Sequence, residues 1–210
     1  MTSASAPQAS LSFTHRFTPG SDPTRPPLLL LHGTGGDEND LIPLGRAVSP
    51  GSALLSPRGK VLEGGMPRFF RRFAEGVFDE ADVRARAAEL AAFVAEAREA
   101  YGLAVPIAVG FSNGANIAAA LMLLHPDVLA GAALLRAMTV LSDPPAPDLR
   151  GRRALLLSGA SDPIVPAASA AGLGAALQRA GAAVDHRTLR AGHGLTQDDV
   201  AAVAGWLQDA

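Results

Sequence analysis

Ser112 sits at the centre of Gly110-Phe111-Ser112-Asn113-Gly114, between an apolar run (Val105 to Val109) and a helical one (Ala115 to Leu124). Gly-x-Ser-x-Gly between a strand and a helix spells a nucleophile elbow. The turn is tight enough to strain the serine backbone, and a glycine two residues to either side leaves room for it. The strain lifts the hydroxyl clear of the sheet, where a base and an acyl carbonyl can both reach it. A serine hydroxyl is a weak nucleophile until a base takes its proton. The chemistry to look for is therefore acyl transfer, assisted by an imidazole that a carboxylate orients.

In sheets built around such an elbow the acid follows the nucleophile along the chain and the histidine comes last. Downstream of Ser112 stand His125, His186 and His193. His125, in Leu-His-Pro, ends the helix that the elbow opens and reads as a C-terminal cap. His186 lies in the strand-like alternation Val184 to Leu189 and reads as a sheet-face residue. His193, in Ala191-Gly192-His193-Gly194, occupies a loop beyond a strand's C-terminal end, where a base is needed. Asp162 follows the apolar run Ala154 to Ser158 by a short turn and precedes Pro163-Ile164-Val165-Pro166, so it too lies just past a strand. One helix and one strand fit between Asp162 and His193. Asp143 and Asp148, in a Pro-rich segment, and Asp127, after His125-Pro126, read as solvated turn residues.

The tetrahedral oxyanion needs two N–H donors. One is the amide after the nucleophile, Asn113. The other comes from a His-Gly loop after an early strand. Leu28 to Leu31 run into His32-Gly33-Thr34-Gly35-Gly36, which makes Thr34 the second donor. That loop lacks the Gly-Lys-Ser/Thr ending and the spacing of a phosphate loop. His32 is read as ordering the loop by hydrogen bonds. The acidic stretch Asp37-Glu38-Asn39-Asp40 is read as the capped start of a helix over Leu41-Ile42-Pro43-Leu44.

These segments resemble the small carboxylesterase and acyl-protein-thioesterase branch of the α/β-hydrolases, the phospholipase/carboxylesterase family. The matching residues are Leu31-His32-Gly33, the 110–114 elbow, Gly159-Ala160-Ser161-Asp162-Pro163-Ile164-Val165-Pro166 and Gly192-His193, in the family's order. Ser56 to Lys60 through Gly76 to Asp79 resemble a bacterial subgroup of that branch. The resemblance implies a serine hydrolase for esters or thioesters of small to medium acyl groups, with Ser112, Asp162 and His193 as its triad. It also implies a small-molecule substrate and no cofactor. Asn113 stands where the better-known thioesterases of the branch usually carry Gln; the backbone donor survives that change, whereas a side-chain contact is not carried over. A homodimer is an expectation by analogy with that branch alone.

Two other readings stay open. An acyltransferase or lactone-opening enzyme would use the same triad, since no residue distinguishes water from another acceptor. A ligand-binding protein with this fold and negligible turnover would have no need of all four catalytic elements together. A metal hydrolase is disfavoured because the 5 histidines are scattered, with no His-x-x-x-His pair, and no metal site is expected.

The elements that must position these residues follow from patterning. Strands are expected at Leu11–Phe17, Leu28–Leu31, Ala53–Leu55, Pro106–Val109, Gly131–Leu135, Arg153–Ser158 and Val184–Leu189. Most are short continuous apolar runs, as in a parallel sheet buried on both faces. Helices are expected near Glu80–Tyr101, Asn113–His125, Ala167–Ala180 and Thr196–Gln208. The alternation predicts a doubly wound, mostly parallel α/β sheet with helices on both faces, the α/β-hydrolase fold, as a single domain over residues 11–210. The interval Arg136 to Arg152 is too short for a cap domain, which predicts an open site. The long segment Pro57 to Asp79 carries Phe69, Phe70 and Phe73, which would share a face if helical, and Met66. Met66, Phe69, Met138, Ile164 and Leu195 are candidates to line the acyl pocket, or else belong to the core. Arg58, Lys60, Arg68, Arg71 and Arg72 form either a solvated basic face or a seat for an anionic leaving group.

With 210 residues and 48% hydrophobic content there is ample material for a core. A net charge of −2 gives no signal for nucleic acid or a membrane surface. The absence of cysteine excludes disulfides, a thiol nucleophile and Cys-ligated zinc, and suits a reducing compartment. Residues 1–10 read as a disordered lead-in with neither a basic start nor an apolar core, so secretion is not predicted and a cytoplasmic location is expected. No apolar run approaches membrane-spanning length, so no membrane insertion is expected.

Overall fold

The computed structural model describes residues 10–208. The expected lead-in over 1–10 therefore lies, save for Ser10, outside the described residues. Every apolar run marked out above becomes a strand of one seven-stranded sheet: β1 (His15–Thr18), β2 (Leu28–Leu31), β3 (Leu54–Pro57), β8 (Ile107–Phe111), β9 (Gly131–Leu135), β10 (Arg153–Gly159) and β11 (Ala183–Leu189). Their order is β1-β3-β2-β8-β9-β10-β11. Only β1 runs antiparallel; the other pairings are parallel. The direction of winding reverses between β2 and β8, so a crevice opens at their C-terminal ends.

Alternation within the apolar runs explains the two layers of helices. Leu29 and Leu31 face a core shared with α2 (Glu80–Tyr101), α3 (Asn113–Leu124) and α4 (Ala167–Arg179), in which Leu90, Phe93, Ile117 and Leu177 are buried. Leu28 and Leu30 face the opposite core, with Ile42 and Val48 of α1 (Ile42–Val48) and Val203 and Trp206 of α5 (Gln197–Gln208). A strand covered on both sides has no polar face, which is why these sequences are near-continuously apolar. The α2 boundaries have local causes. Asp79 caps its start by accepting the Asp82 N–H, and Gly102 ends it in the left-handed region at φ 65°. Nothing is inserted between β9 and β10 except irregular chain, so no cap domain covers the sheet there. Among the described residues no helix is long and apolar enough to cross a membrane.

Three expectations need correction. The first strand begins at His15, not Leu11. The acids at 37–40 do not cap α1: its N-cap is Leu41 and its first turn holds no acidic residue. Asp37 instead accepts the Asn39 N–H in a side-chain turn, and Glu38 pairs with Arg58 at 2.5 Å. The 57–79 segment is not helical. It folds into two small hairpins, β4 (Val61–Glu63) with β5 (Met66–Arg68) and β6 (Arg72–Ala74) with β7 (Val77–Phe78). Phe69 and Phe70 are buried between them while Phe73 is 76% exposed, so the phenylalanines share no face. Gly-Gly at 64–65 and Gly76, all at positive φ, supply turns that a helix would not tolerate.

Candidate active site

Ser112 occupies the turn between β8 and α3 with φ 51° and ψ −115°, backbone that a non-glycine residue rarely adopts. Its N–H donates to Leu135 O of β9 at 2.8 Å, which anchors the elbow to the sheet. The flanking glycines are required by close approach: a Cβ on Gly110 would collide with the Gly114 carbonyl, and one on Gly114 with the Leu31 carbonyl. The elbow can therefore pass this close to β2 only with the spelling it has.

The structure brings Ser112, His193 and Asp162 into one chain of hydrogen bonds. Ser112 Oγ lies 3.0 Å from His193 Nε2. His193 Nδ1 lies 2.9 Å from Asp162 Oδ2 and 3.1 Å from Oδ1. Since a carboxylate only accepts, Nδ1 carries the proton and Nε2 turns a lone pair toward the serine. Asp162 Oδ1 also accepts the N–H groups of Ile164 (2.8 Å) and Val165 (3.1 Å). Burial is the largest single influence on the Asp162 carboxyl and pushes its pKa up. The bonds from Ile164, His193 and Val165 together outweigh it and hold the group below the usual carboxylate range. The rival aspartates lie elsewhere: Asp148 pairs with Arg150, and Asp127 faces Arg152 at 3.8 Å. His186 meets Ser158 at 2.9 Å on β11, and His125 is the C-cap of α3.

The expected oxyanion donors flank the same point. Asn113 is the first residue of α3, so its N–H has no partner within the helix and stands at the positive end of its dipole. Thr34 lies just past β2, and no backbone acceptor among the described residues takes its N–H. The hairpin segment holds both. The Phe69 N–H donates to Asn113 Oδ1 (2.7 Å), and Arg68, only 2% exposed, donates to Thr34 Oγ1 (2.9 Å) and to Phe70 O (3.2 Å). The Gly35 N–H reaches Pro67 O at 2.9 Å. Asn113 Nδ2 is buried with no partner among the described residues.

His32 orders this loop. Gly59 N–H donates to its Nε2 (3.0 Å), which leaves the proton on Nδ1 to be donated to Gly33 O (2.7 Å). Burial lowers its pKa, opposed by the Gly33 bond and nearby acids, and the ring stays neutral.

The five pocket candidates divide. Met66, Ile164 and Leu195 are exposed, and Met66 lies close to Gly35. Phe69 is buried against His32, with ring centroids 4.7 Å apart, and Met138 is buried with Val165 and Ala170. Of the two pictures of the basic residues at 58–72, the seat for an anion does not hold, whereas Arg58 and Arg71 are solvated, their side chains 41% and 62% exposed. Arg68 is buried and pairs with Glu63 (2.9 Å); Arg72 pairs with Glu63 and Glu75, Arg71 with Asp79 (2.8 Å), and Lys60 with Glu89 (3.7 Å). Their charge is balanced locally, so no bare basic seat remains. Arg136 and Asp199, buried together behind the His193 loop, had no place in the sequence reading. An arginine directly after the wholly apolar Gly131–Leu135 and the capping-box pattern Thr196-x-x-Asp199 are the signals that could have found them.

The sheet order, the elbow at its switch point and the open strand ends define an α/β-hydrolase. Residues 15–210 match the model of the phospholipase/carboxylesterase family, and the chain belongs to that family. It is 44% identical over 185 residues, 87% of this chain and 92% of the other, to the Bacillus subtilis (strain 168) protein MhqD, whose name places it with the hydrolases. The crystal structure of the Bacillus cereus carboxylesterase superposes with a TM-score of 0.93 at 41% identity, over 95% of each chain. A carboxylesterase from Mesorhizobium loti does so with a TM-score of 0.91 at 38% identity, over 97% of this chain and 98% of that one.

Proposed function

We propose that this chain is a serine carboxylesterase that hydrolyses esters, or thioesters, of small to medium acyl groups through an acyl-enzyme on Ser112. The observation that carries the reading is the continuous Ser112–His193–Asp162 hydrogen-bond chain, with its tautomer already set for proton abstraction. His193 Nε2 takes the hydroxyl proton as Ser112 Oγ attacks the acyl carbonyl. Asp162, held ionised by its hydrogen bonds, orients the ring and stabilises the imidazolium. The N–H groups of Thr34 and Asn113 receive the oxyanion, and the start of α3 adds its dipole. The imidazolium then protonates the departing alcohol or thiol, and His193 activates a water that releases the acid. Every proton in this cycle is carried by the chain's own groups, so the proposed chemistry calls on no metal or organic cofactor. The carboxylesterase names of the relatives support an ester substrate.

The test is steady-state hydrolysis of p-nitrophenyl esters from acetate to decanoate, wild type beside Ser112→Ala. Repeated turnover in the wild type, lowered by roughly 10⁴–10⁶ in kcat in a folded mutant, is expected. The chain-length optimum then sizes the pocket. A folded Ser112→Ala with near-normal turnover would sink the assignment, and a wild type acylated only once would point to a binding role.

A further inference from the structure

The base sits in the sequence Gly192-His193-Gly194, which by itself is among the most freely jointed a chain can have. Something outside the loop must therefore fix the imidazole. Arg136 is the first residue past β9, and its backbone N–H donates to Leu157 O at 2.8 Å. Among the described residues only Ser112 and Arg136, of all non-glycines, adopt positive φ, at 51° and 59°. Its side chain is 0% exposed, yet every N–H of the guanidinium finds an acceptor. Nε donates to Gly192 O (2.9 Å) and Nη2 to Gly194 O (3.2 Å), the carbonyls on either side of His193. Nη1 donates to Leu157 O (3.2 Å), and the two terminal nitrogens grip Asp199 Oδ1 and Oδ2 at 2.7 and 2.8 Å.

Asp199, also 0% exposed, closes the arrangement. Its Oδ2 accepts the N–H and the hydroxyl of Thr196, each at 2.8 Å, in a capping box at the start of α5. The loop is thus tied to one ion pair at Gly192, Gly194 and Thr196, and Ser161 N–H ties Ala191 O to the acid's own loop at 3.0 Å. A buried ion pair is a poor stabiliser, because desolvation offsets most of its attraction and an apolar pair often serves as well. An apolar pair cannot hold two carbonyls in fixed directions. The rigid, planar fork of an arginine can, and a lysine ammonium has no such fork.

We infer that Arg136 is a positioning residue for His193: by clamping the Gly192 and Gly194 carbonyls it sets where the imidazole stands between Asp162 and Ser112. The inference rests on the triad reading above. Being wholly buried, Arg136 acts on the placement of the base and not on substrate binding.

The experiment compares wild type with Arg136→Lys and with Arg136→Met combined with Asp199→Asn, which leaves no lone buried charge. Displacing a reacting group by about 1 Å costs about 100-fold in rate. In both variants kcat for p-nitrophenyl acetate is expected to fall by about that factor, with KM little changed and cooperative unfolding retained. The far-downfield proton resonance of His193 Nδ1–H should broaden or vanish. Wild-type kcat with an unchanged Nδ1–H resonance in the folded variants would overturn the inference. So would loss of cooperative unfolding in both, which would make Arg136 a folding residue only. Turnover that survives in Ser112→Ala defeats the triad reading instead. The Nδ1 proton needs no turnover, so it still decides whether Arg136 orders the ring.

Discussion

The two flanks of the Ser112 elbow are held by different means. On the side of His193 the supports are buried, fully paired and remote from solvent: Asp162 with two backbone N–H donors, and Arg136 with Asp199. On the side of Thr34 the supports come from two small hairpins that carry Leu62, Met66, Phe73 and Val77 exposed. Only the stretch Arg68 to Phe70 of that excursion is buried, and it is the stretch that bonds Asn113 and Thr34. Groups whose placement must be held to fractions of an ångström are tied by buried polar contacts that have one geometry. The rim is built from exposed ion pairs, each worth little by itself, and from side chains free to meet a substrate.

The comparison breaks first at the acid. Asp162→Asn keeps the shape but loses the charge and favours the wrong imidazole tautomer, so kcat should fall by about 10⁴ in ester hydrolysis. The same change has a pH signature. The folded pKa of Asp162 is depressed, so its contribution to stability is present above the unfolded value of about 3.9 and is lost as pH falls through the folded value. Denaturant unfolding from neutral to acid pH should therefore show a shallower loss of stability in Asp162→Asn than in wild type. An equal slope would mean that those hydrogen bonds do not favour the ionised form.

Next in size is the inner edge of the hairpins. Arg68→Met leaves Glu63, Thr34 Oγ1 and Phe70 O without their buried donor, and should cost about 1–3 kcal/mol of stability in denaturant titration. It should also lower kcat by about tenfold as the Thr34 amide loses its support, a smaller effect than one on the base because the Asn113 donor remains. A kcat unchanged at full occupancy would show that the hairpins do not support the oxyanion loop. The smallest effect is expected at the outer rim. Phe73→Ser should change stability by no more than about 0.5 kcal/mol and leave acetate hydrolysis unaltered. Any change should appear only in KM for the longer esters. A large thermal destabilisation would show that Phe73 packs, contrary to its exposure.

Much of this was legible because the signals are local. The apolar runs marked β2 and β9 to the residue, and the helix expected near Glu80–Tyr101 is α2. The elbow's glycines and the strand-loop settings of Asp162 and His193 pointed to the three residues that the fold brings into hydrogen-bond contact. The 57–79 segment misled because phenylalanines at 69, 70 and 73 fit a helical face. The glycines at 64, 65 and 76 were the better signal, since they supply the positive φ of hairpin turns. The basic residues of that segment likewise looked like a patch until Glu63, Glu75 and Asp79 were found among them. The acids at 37–40 looked like a helix cap, yet they serve a side-chain turn and the Arg58 pair, a partner 20 residues away.

The sequence by itself determined the sheet, its two covering layers and the three residues, Ser112, Asp162 and His193, that the fold joins by hydrogen bonds, because strand burial, helix capping and elbow turns depend on neighbours a few residues apart. Only the tertiary structure decided how the His193 loop is held. Arg136 and Asp199 are 63 residues apart, and Asn113 and Phe69 are 44 apart. Hydrogen bonds between such distant residues depend on where whole strands and helices come to rest, and no short-range pattern encodes that.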